Sequence, residues 1–142
     1  MKVSGYRGLE LALMTRDEHC PPHLHVKASD WEVRFKFSFW HNRVCLYDVK
    51  PASAKPSVKV IEGLRQHLLQ PPILLSARQK WWQVMGSLCL GNLYWDSGLG
   101  EVVTPKSANA SAKKILSARY DGQQNITVLK LSNLVDDLEI EL

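Results

Sequence analysis

The sequence predicts an α+β fold, in which an antiparallel sheet of about four strands is packed by two helices and followed by a C-terminal β-hairpin extension. Three observations predict it. Apolar and polar side chains alternate across residues 31–39, which is the pattern of a strand with one wet face. Apolar residues recur at helical spacing across residues 57–86. After residue 88, short extended runs separated by glycines return to a β pattern.

The first part of the chain supplies the predicted sheet. Leucines occupy every second position of residues 9–13, and apolar residues alternate with basic ones across residues 23–28. Between these strands the chain must turn, because the Pro21-Pro22 pair has no N–H to donate and keeps the preceding residues extended. The alternating strand 31–39 follows, and residues 43–49 complete the predicted sheet.

The alternation across residues 31–39 predicts a strand with one buried face and one wet face. The face expected to be buried contains Trp31, Val33, Phe35, Phe37 and Phe39. The face expected to be wet contains Glu32, Arg34, Lys36 and Ser38.

The helical region completes the first predicted unit. Residues 57–69 place their apolar side chains on one helical face, and residues 72–86 form a second helix that stops near Gly86. We therefore expect an α+β domain over residues 1–87. Residues 88–142 are expected to form a β extension packed on the same domain.

The predicted β extension has four parts. Residues 88–103 read as a loop with short extended pieces, and residues 104–114 as a polar connector. Residues 115–131 form a hairpin candidate, since a polar turn separates two apolar runs. The tail 136–142 alternates acidic with aliphatic residues and predicts an edge strand.

The composition indicates which classes of protein the sequence is compatible with. The chain has 142 residues, 45% hydrophobic and 23% charged, which is typical of a globular protein and not of a disordered one. A net charge of +4 permits contact with nucleic acid without requiring it, because the basic residues are scattered. No Cys-x-x-Cys pair, signal-peptide core or apolar run of about 18 residues is present, so we expect a cytoplasmic protein without a membrane segment.

Residues 17–26 concentrate the possible chemistry, in the order Asp-Glu-His-Cys-Pro-Pro-His-Leu-His-Val. Together with Gly5-Tyr6-Arg7 before it and Trp81-Trp82 with Gly86 after it, this segment resembles a bacterial family of domains of unknown function. That family carries the signature Glu-His-x-Pro-Pro-His-x-His. Residues beyond Gly86 extend past the usual length of the family, and Cys20 departs from its small or polar spacer.

The resemblance implies little about activity. Family genes often lie beside a second small protein, in pairs that look like toxin–antitoxin modules on mobile elements. No catalytic role comes with it. It therefore implies a binding or interaction module whose partner is a protein or nucleic acid, and an oligomer is compatible with it.

One chemical interpretation of the signature is a metal site. His23 and His25 share a strand face, and His19 can fold back across the prolines, so that His19, His23 and His25 are candidate ligands for Zn²⁺ or another divalent ion. Under this alternative the chain is a small metal-dependent hydrolase or nuclease. Its catalytic residues would be Glu18, His19 and His23, and either Glu18 or Asp17 could orient a ring or act as general base.

The other interpretation is structural and needs no cofactor. Imidazoles at a strand entrance often hydrogen-bond a carboxylate, and Glu18 with His23 or His25 is a natural pair of this kind. The wet strand face then offers a basic binding surface of His25, Lys27, Arg34 and Lys36. Cys20 beside a histidine also has the residue types of a thiol nucleophile, although a cysteine before two prolines is more often passive. The sequence leaves open whether the protein is an enzyme.

Overall fold

A computed structural model describes residues 1–142 of the chain. It contains two five-stranded antiparallel sheets and two α-helices. The chain divides into two compact units, Met1–Gly86 and Ser87–Leu142. The predicted α+β class is confirmed, but the number of strands differs: the first sheet has a fifth strand, and the C-terminal part forms a sheet of its own rather than a hairpin alone.

The first unit contains a sheet whose strands follow one another in chain order. They are β1 (Lys2–Tyr6), β2 (Leu9–Ala12), β3 (His23–Lys27), β4 (Glu32–Lys36) and β5 (Cys45–Lys50). The sequence pattern does not predict β1, because Ser4 and Gly5 interrupt any apolar alternation there. The turn to β2 uses Arg7 and Gly8, both with positive φ, which is the geometry that joins two tightly paired strands.

Two helices follow the sheet. They are α1 (Val58–Leu68) and α2 (Pro71–Met85), preceded by a short 3₁₀ turn at Ala52–Ala54. Ser57 caps α1 by accepting a hydrogen bond from the Val60 N–H at 3.3 Å. Gly86 ends α2 at φ 58°, a left-handed conformation that glycine adopts without strain.

The core of the first unit lies on one face of its sheet. In the register of β3 with β4, Leu24 pairs with Phe35 and Val26 pairs with Val33, and all four side chains are fully buried. The helices contact each other and the two edge strands, since α2 contacts β1 and α1 contacts β5. Each large apolar side chain buried in this way stabilises the fold by about 1.5–3 kcal/mol.

The opposite face of the sheet is less wet than the sequence predicts. Arg34 is only 9% exposed. Its guanidinium donates to both carboxylate oxygens of Asp48, with Nε 2.6 Å from Oδ1, and it lies 4.7 Å from the centre of the Tyr47 ring. A strongly polar side chain is buried here because β5 supplies an acid and an aromatic ring, and sequence alternation within β4 carries no information about that neighbour.

The second unit contains the other sheet. Its strands are β6 (Tyr94–Asp96), β7 (Glu101–Val103), β8 (Lys113–Asp121), β9 (Ile126–Leu131) and β10 (Leu138–Glu141), in the order β10-β9-β8-β6-β7. The predicted hairpin is the β8–β9 pair, and the predicted edge strand is β10. Asp121 shapes the hairpin turn by accepting from the N–H groups of Gln123 and Gln124.

No helix of the structure has the length and apolar character needed to cross a membrane.

Candidate metal centre

The turn between β2 and β3 brings a carboxylate over the sheet. Asp17 has φ 59°, and the chain then returns so that the Oε2 atom of Glu18 accepts a hydrogen bond from the Met14 N–H at 2.9 Å. This bond fixes one carboxylate oxygen of Glu18. The side chain is 4% exposed, and its other oxygen, Oε1, faces the imidazoles of His23 and His25.

His23 and His25 present their Nε2 atoms to the same oxygen. Because they stand two residues apart on β3, their side chains leave the same face of the sheet. Glu18 Oε1 lies 3.0 Å from His23 Nε2 and 3.1 Å from His25 Nε2. One ligand atom from each of these three residues lies within 4.8 Å of the others, which is a grouping able to hold a metal ion.

The protonation state of His23 follows from its neighbours. Its Nδ1 atom lies 2.7 Å from the carbonyl oxygen of Pro21, which only accepts, so the ring donates its proton there. The Nε2 atom then carries a lone pair. It is buried and has no hydrogen-bond partner, since the contact with Glu18 is short but lacks hydrogen-bond geometry. Two acceptors therefore face each other with no donor between them.

His25 is oriented in a similar way. Its Nδ1 atom lies 2.5 Å from Oε1 of Glu32, an oxygen that accepts the ring proton. A histidine that donates one nitrogen to a carboxylate and offers the other to a shared point is the usual arrangement around a protein-bound metal. An imidazolium at His25 would satisfy Glu18, but it would still leave the His23 Nε2 atom without a donor.

Burial controls the electrostatics of His23. Burial lowers the pKa of its imidazole below the ordinary value, and this outweighs the Pro21 carbonyl and the Glu18 carboxylate, which act in the opposite direction. A neutral imidazole is the form that binds metals.

The structure does not assemble the ligand set predicted from the sequence. His19 is exposed, its Nδ1 atom lies 3.1 Å from the Cys20 carbonyl, and its ring centre is 5.2 Å from that of His23. Glu18 takes the third position instead, so the cluster is Glu18, His23 and His25. His19 contacts the backbone carbonyl of Cys20. The sulfur of Cys20 is in a disulfide, so it offers no thiol nucleophile.

The predicted basic surface is smaller than expected. Of its four residues, Lys27 and Lys36 are exposed, whereas His25 and Arg34 are each 9% exposed. His25 is enclosed by its contacts with two glutamates, and Arg34 is enclosed by its pair with Asp48. Of these four residues, only the two lysines therefore present charge to solvent.

Glu32 is the site residue that the sequence analysis missed. It was interpreted only as a polar position on a wet face. The register of the β3–β4 hairpin is the feature that could have identified Glu32. A turn at residues 28–31 pairs Lys27 with Glu32 and places the glutamate diagonally across from His25.

The donor set fits a divalent transition metal. Two imidazole nitrogens and one carboxylate oxygen suit Zn²⁺, Fe²⁺ or Mn²⁺. Bond lengths of about 2.1 Å place two ligand atoms of one ion roughly 3.0–3.4 Å apart. The two distances from Glu18 Oε1, 3.0 and 3.1 Å, agree with this spacing.

Comparisons of the chain with models of known protein families, with curated proteins and with solved structures found no match. The family resemblance carried by residues 17–26 therefore remains a prediction.

Proposed function

We propose that the first unit is a metal-binding module, in which Glu18 Oε1, His23 Nε2 and His25 Nε2 hold one divalent transition metal ion. The observation that carries this proposal is the buried His23 Nε2 atom, 3.0 Å from a carboxylate oxygen and without a hydrogen-bond donor. An unsatisfied buried polar atom costs about 1–3 kcal/mol. A cation at the shared point removes that cost for His23 Nε2.

The surrounding hydrogen bonds support the same proposal. Each of the three side chains uses one polar atom to contact the protein, through Pro21, Glu32 and the Met14 N–H, and offers another atom to the shared point. Such outer contacts orient ligands before the metal arrives.

In this module the ion has a structural role. The side chains of Glu18, His23 and His25 are 4%, 0% and 10% exposed, so bulk solvent has little access to the three ligand atoms. The ion ties the turn that carries Glu18 to strand β3. Because it binds the folded chain and not the unfolded one, it stabilises the fold by mass action.

The proposal includes a binding partner for the metal-binding module. A macromolecule, either a protein or a nucleic acid, would bind the surface around the turn between β2 and β3, which the ion orders. The bacterial, toxin–antitoxin-like gene pair implied by the resemblance of residues 17–26 is the setting in which we place it.

A metal-dependent hydrolase or nuclease is the second candidate. One observation favours it: His25 lines an open groove together with Glu10, Met14 and Lys27, so one side of the cluster is close to solvent. Three protein ligands also leave a coordination position for water. In this version Glu18 is a ligand and cannot also serve as the free general base.

The test is metal binding by protein purified without a nickel column. After treatment with EDTA, titration with Zn²⁺, Mn²⁺ or Fe²⁺ under anaerobic conditions should show one equivalent bound and a raised Tm. His23→Ala and Glu18→Gln should both abolish this binding. His19→Ala is the matched control, since it removes an imidazole of the same turn that lies outside the cluster, and it should bind normally.

Wild-type protein that binds no more metal than His23→Ala would overturn the proposal, as would equal loss in His19→Ala. Hydrolysis of a phosphodiester probe by the metal-loaded protein, lost in Glu18→Gln, would select the second candidate instead.

A further inference from the structure

A groove opens beside the candidate metal centre. Its cavity volume is about 220 Å³, and it runs between the signature prolines and the end of β4. Its lining includes Pro22, Lys36, Phe37, Trp40, Arg43 and Cys45. Pockets that enclose a whole drug-sized ligand commonly have volumes of about 300–1,000 Å³, so this smaller groove has room for one planar ring and leaves the rest of a ligand at its rim.

One wall of the groove is held by the chain itself. The Phe37 N–H donates to the Pro22 carbonyl at 3.1 Å, which joins the proline segment to the end of β4. The neighbouring Pro21 carbonyl accepts from the His23 ring at 2.7 Å. Both bonds join groups of the protein itself, so the fold holds this wall in place.

The other wall is a turn fixed by a buried arginine. Arg78 on α2 is 1% exposed. Its guanidinium donates to the carbonyl oxygens of Ser38 and His41 at 2.9 and 2.8 Å, and to Asn42 Oδ1 at 2.9 Å. Within the turn, Ser38 Oγ accepts from the N–H groups of Trp40 and His41. The groove is therefore preorganised on both sides.

The lining combines a flat apolar surface with positive charge. Phe37 and Pro22 are buried and form the apolar part, and the half-buried Trp40 adds an indole ring. Lys36 is exposed, Arg43 also lines the groove, and no carboxylate does. This chemistry complements a ligand with a planar aromatic body and a negative group.

We infer that the groove binds a nucleotide, with the base against Trp40 and the phosphate at the rim beside Lys36 and Arg43. Stacking of a base on an aromatic side chain contributes about 1–3 kcal/mol and tolerates any base. A lysine ammonium at the rim supplies a charge-assisted contact to phosphate. This inference goes beyond the metal-binding proposal and does not depend on it.

An extended peptide fits this groove less well. Peptides in grooves are held mainly by hydrogen bonds to a free strand edge or backbone. Here the N–H groups of Trp40 and His41 and the carbonyls of Ser38 and His41 already bond to Ser38 Oγ or Arg78. The groove can therefore recognise a ligand by stacking and by charge, and a nucleotide makes both kinds of contact.

The test uses the full chain in EDTA and measures binding by calorimetry. AMP and UMP should both bind, and adenosine or inorganic phosphate should bind at least about tenfold more weakly, because each lacks one of the two contacts. Trp40→Ala and Lys36→Ala should each weaken AMP binding about tenfold or more, whereas Trp40→Phe should retain most of it. Lys27→Ala is the matched control, an exposed lysine of the same sheet outside the groove, and should leave AMP binding unchanged.

Cys45 gives a second readout. It is a free, exposed cysteine that lines the groove, so saturating AMP should slow its alkylation by iodoacetamide, with Cys45→Ser as the control for labelling elsewhere. Absence of AMP binding, equal weakening in Lys36→Ala and Lys27→Ala, or tighter binding of an acidic aromatic peptide would each overturn the inference. Glu18→Gln separates the two proposals, because it should lose zinc and keep AMP.

Discussion

His23 Nε2 lies 3.0 Å from Glu18 Oε1, and both atoms are hydrogen-bond acceptors when the His23 proton is on Nδ1. A buried pair of facing acceptors is unfavourable unless something positive joins them. A metal ion between the two atoms removes this cost, and so does a hydrogen-bond donor in place of the Glu18 oxygen. Substitutions can distinguish these two cases.

Glu18→Gln should affect stability and metal binding in opposite directions. The amide oxygen can keep the Met14 N–H bond, while the amide N–H group can donate to His23 Nε2. Metal-free Glu18→Gln should therefore be more stable than metal-free wild type, by roughly 1 kcal/mol. Urea unfolding in EDTA measures this difference. A substantially less stable variant would show that Glu18 and His23 already form a satisfied pair.

Glu32 should act as a positioning residue for the metal ligand His25. Its Oε1 atom lies 2.5 Å from His25 Nδ1. Substitution of such an outer carboxylate typically weakens metal binding about 10–100-fold, because the ring loses its orientation and basicity. We expect this weakening in Glu32→Ala and a smaller loss in Glu32→Gln, which can still accept the ring proton.

Asp30→Asn is the control for Glu32, since Asp30 is an exposed acid within the same turn. Equal zinc affinity in Glu32→Ala and wild type, measured by competition with a chelating dye, would remove Glu32 from the site.

The Arg34–Asp48 pair should make stability depend on pH in the acidic range. The hydrogen bond from Arg34 is the main cause that lowers the pKa of the Asp48 carboxyl below its ordinary value. A lowered folded-state pKa contributes stability that is complete above the unfolded pKa of about 3.9 and is lost as pH falls through the folded value. Since Asp48 is about one-third exposed, we expect a contribution of roughly 1 kcal/mol at neutral pH.

Asp48→Asn tests this dependence. Its free energy of unfolding should lie below that of wild type at pH 7, and the two should converge as the pH falls through the lowered pKa of Asp48. A constant difference between pH 7 and pH 2.5 would mean that the substitution acts through packing against Arg34 and not through charge.

Arg78 should be essential for the turn at residues 38–42. Its removal leaves the Ser38 carbonyl without this donor, and the His41 carbonyl keeps only the bond from Ser38 Oγ. A buried group that loses its partner costs about 1–3 kcal/mol, so Arg78→Met should destabilise the protein by roughly 2 kcal/mol or more. Lys80→Met on the same helix is the control, and denaturant unfolding measures both. A loss no larger than that of the control would contradict the role given to Arg78.

Much of the secondary structure was predictable because its signals are local. The alternation across residues 31–39 places Phe35 and Phe39 in the core, where both are fully buried. Helical spacing located α1 and α2, and Gly86 marked the end of the second. Strand β1 escaped prediction because its place depends on pairing with β2, with Ser4 opposite Leu11, and not on its own apolar pattern.

The sequence by itself determined that His23 and His25 share a face, because side chains two residues apart on a strand always do. It also marked residues 17–26 as the segment with the most chemistry. Only the tertiary structure decided that Glu18, and not His19, completes the cluster, and that Glu32 and Asp48 enclose His25 and Arg34. The physical reason is that strand periodicity is fixed by the backbone of each residue. The path of a turn and the partner across a sheet are fixed by hydrogen bonds to residues distant in the chain.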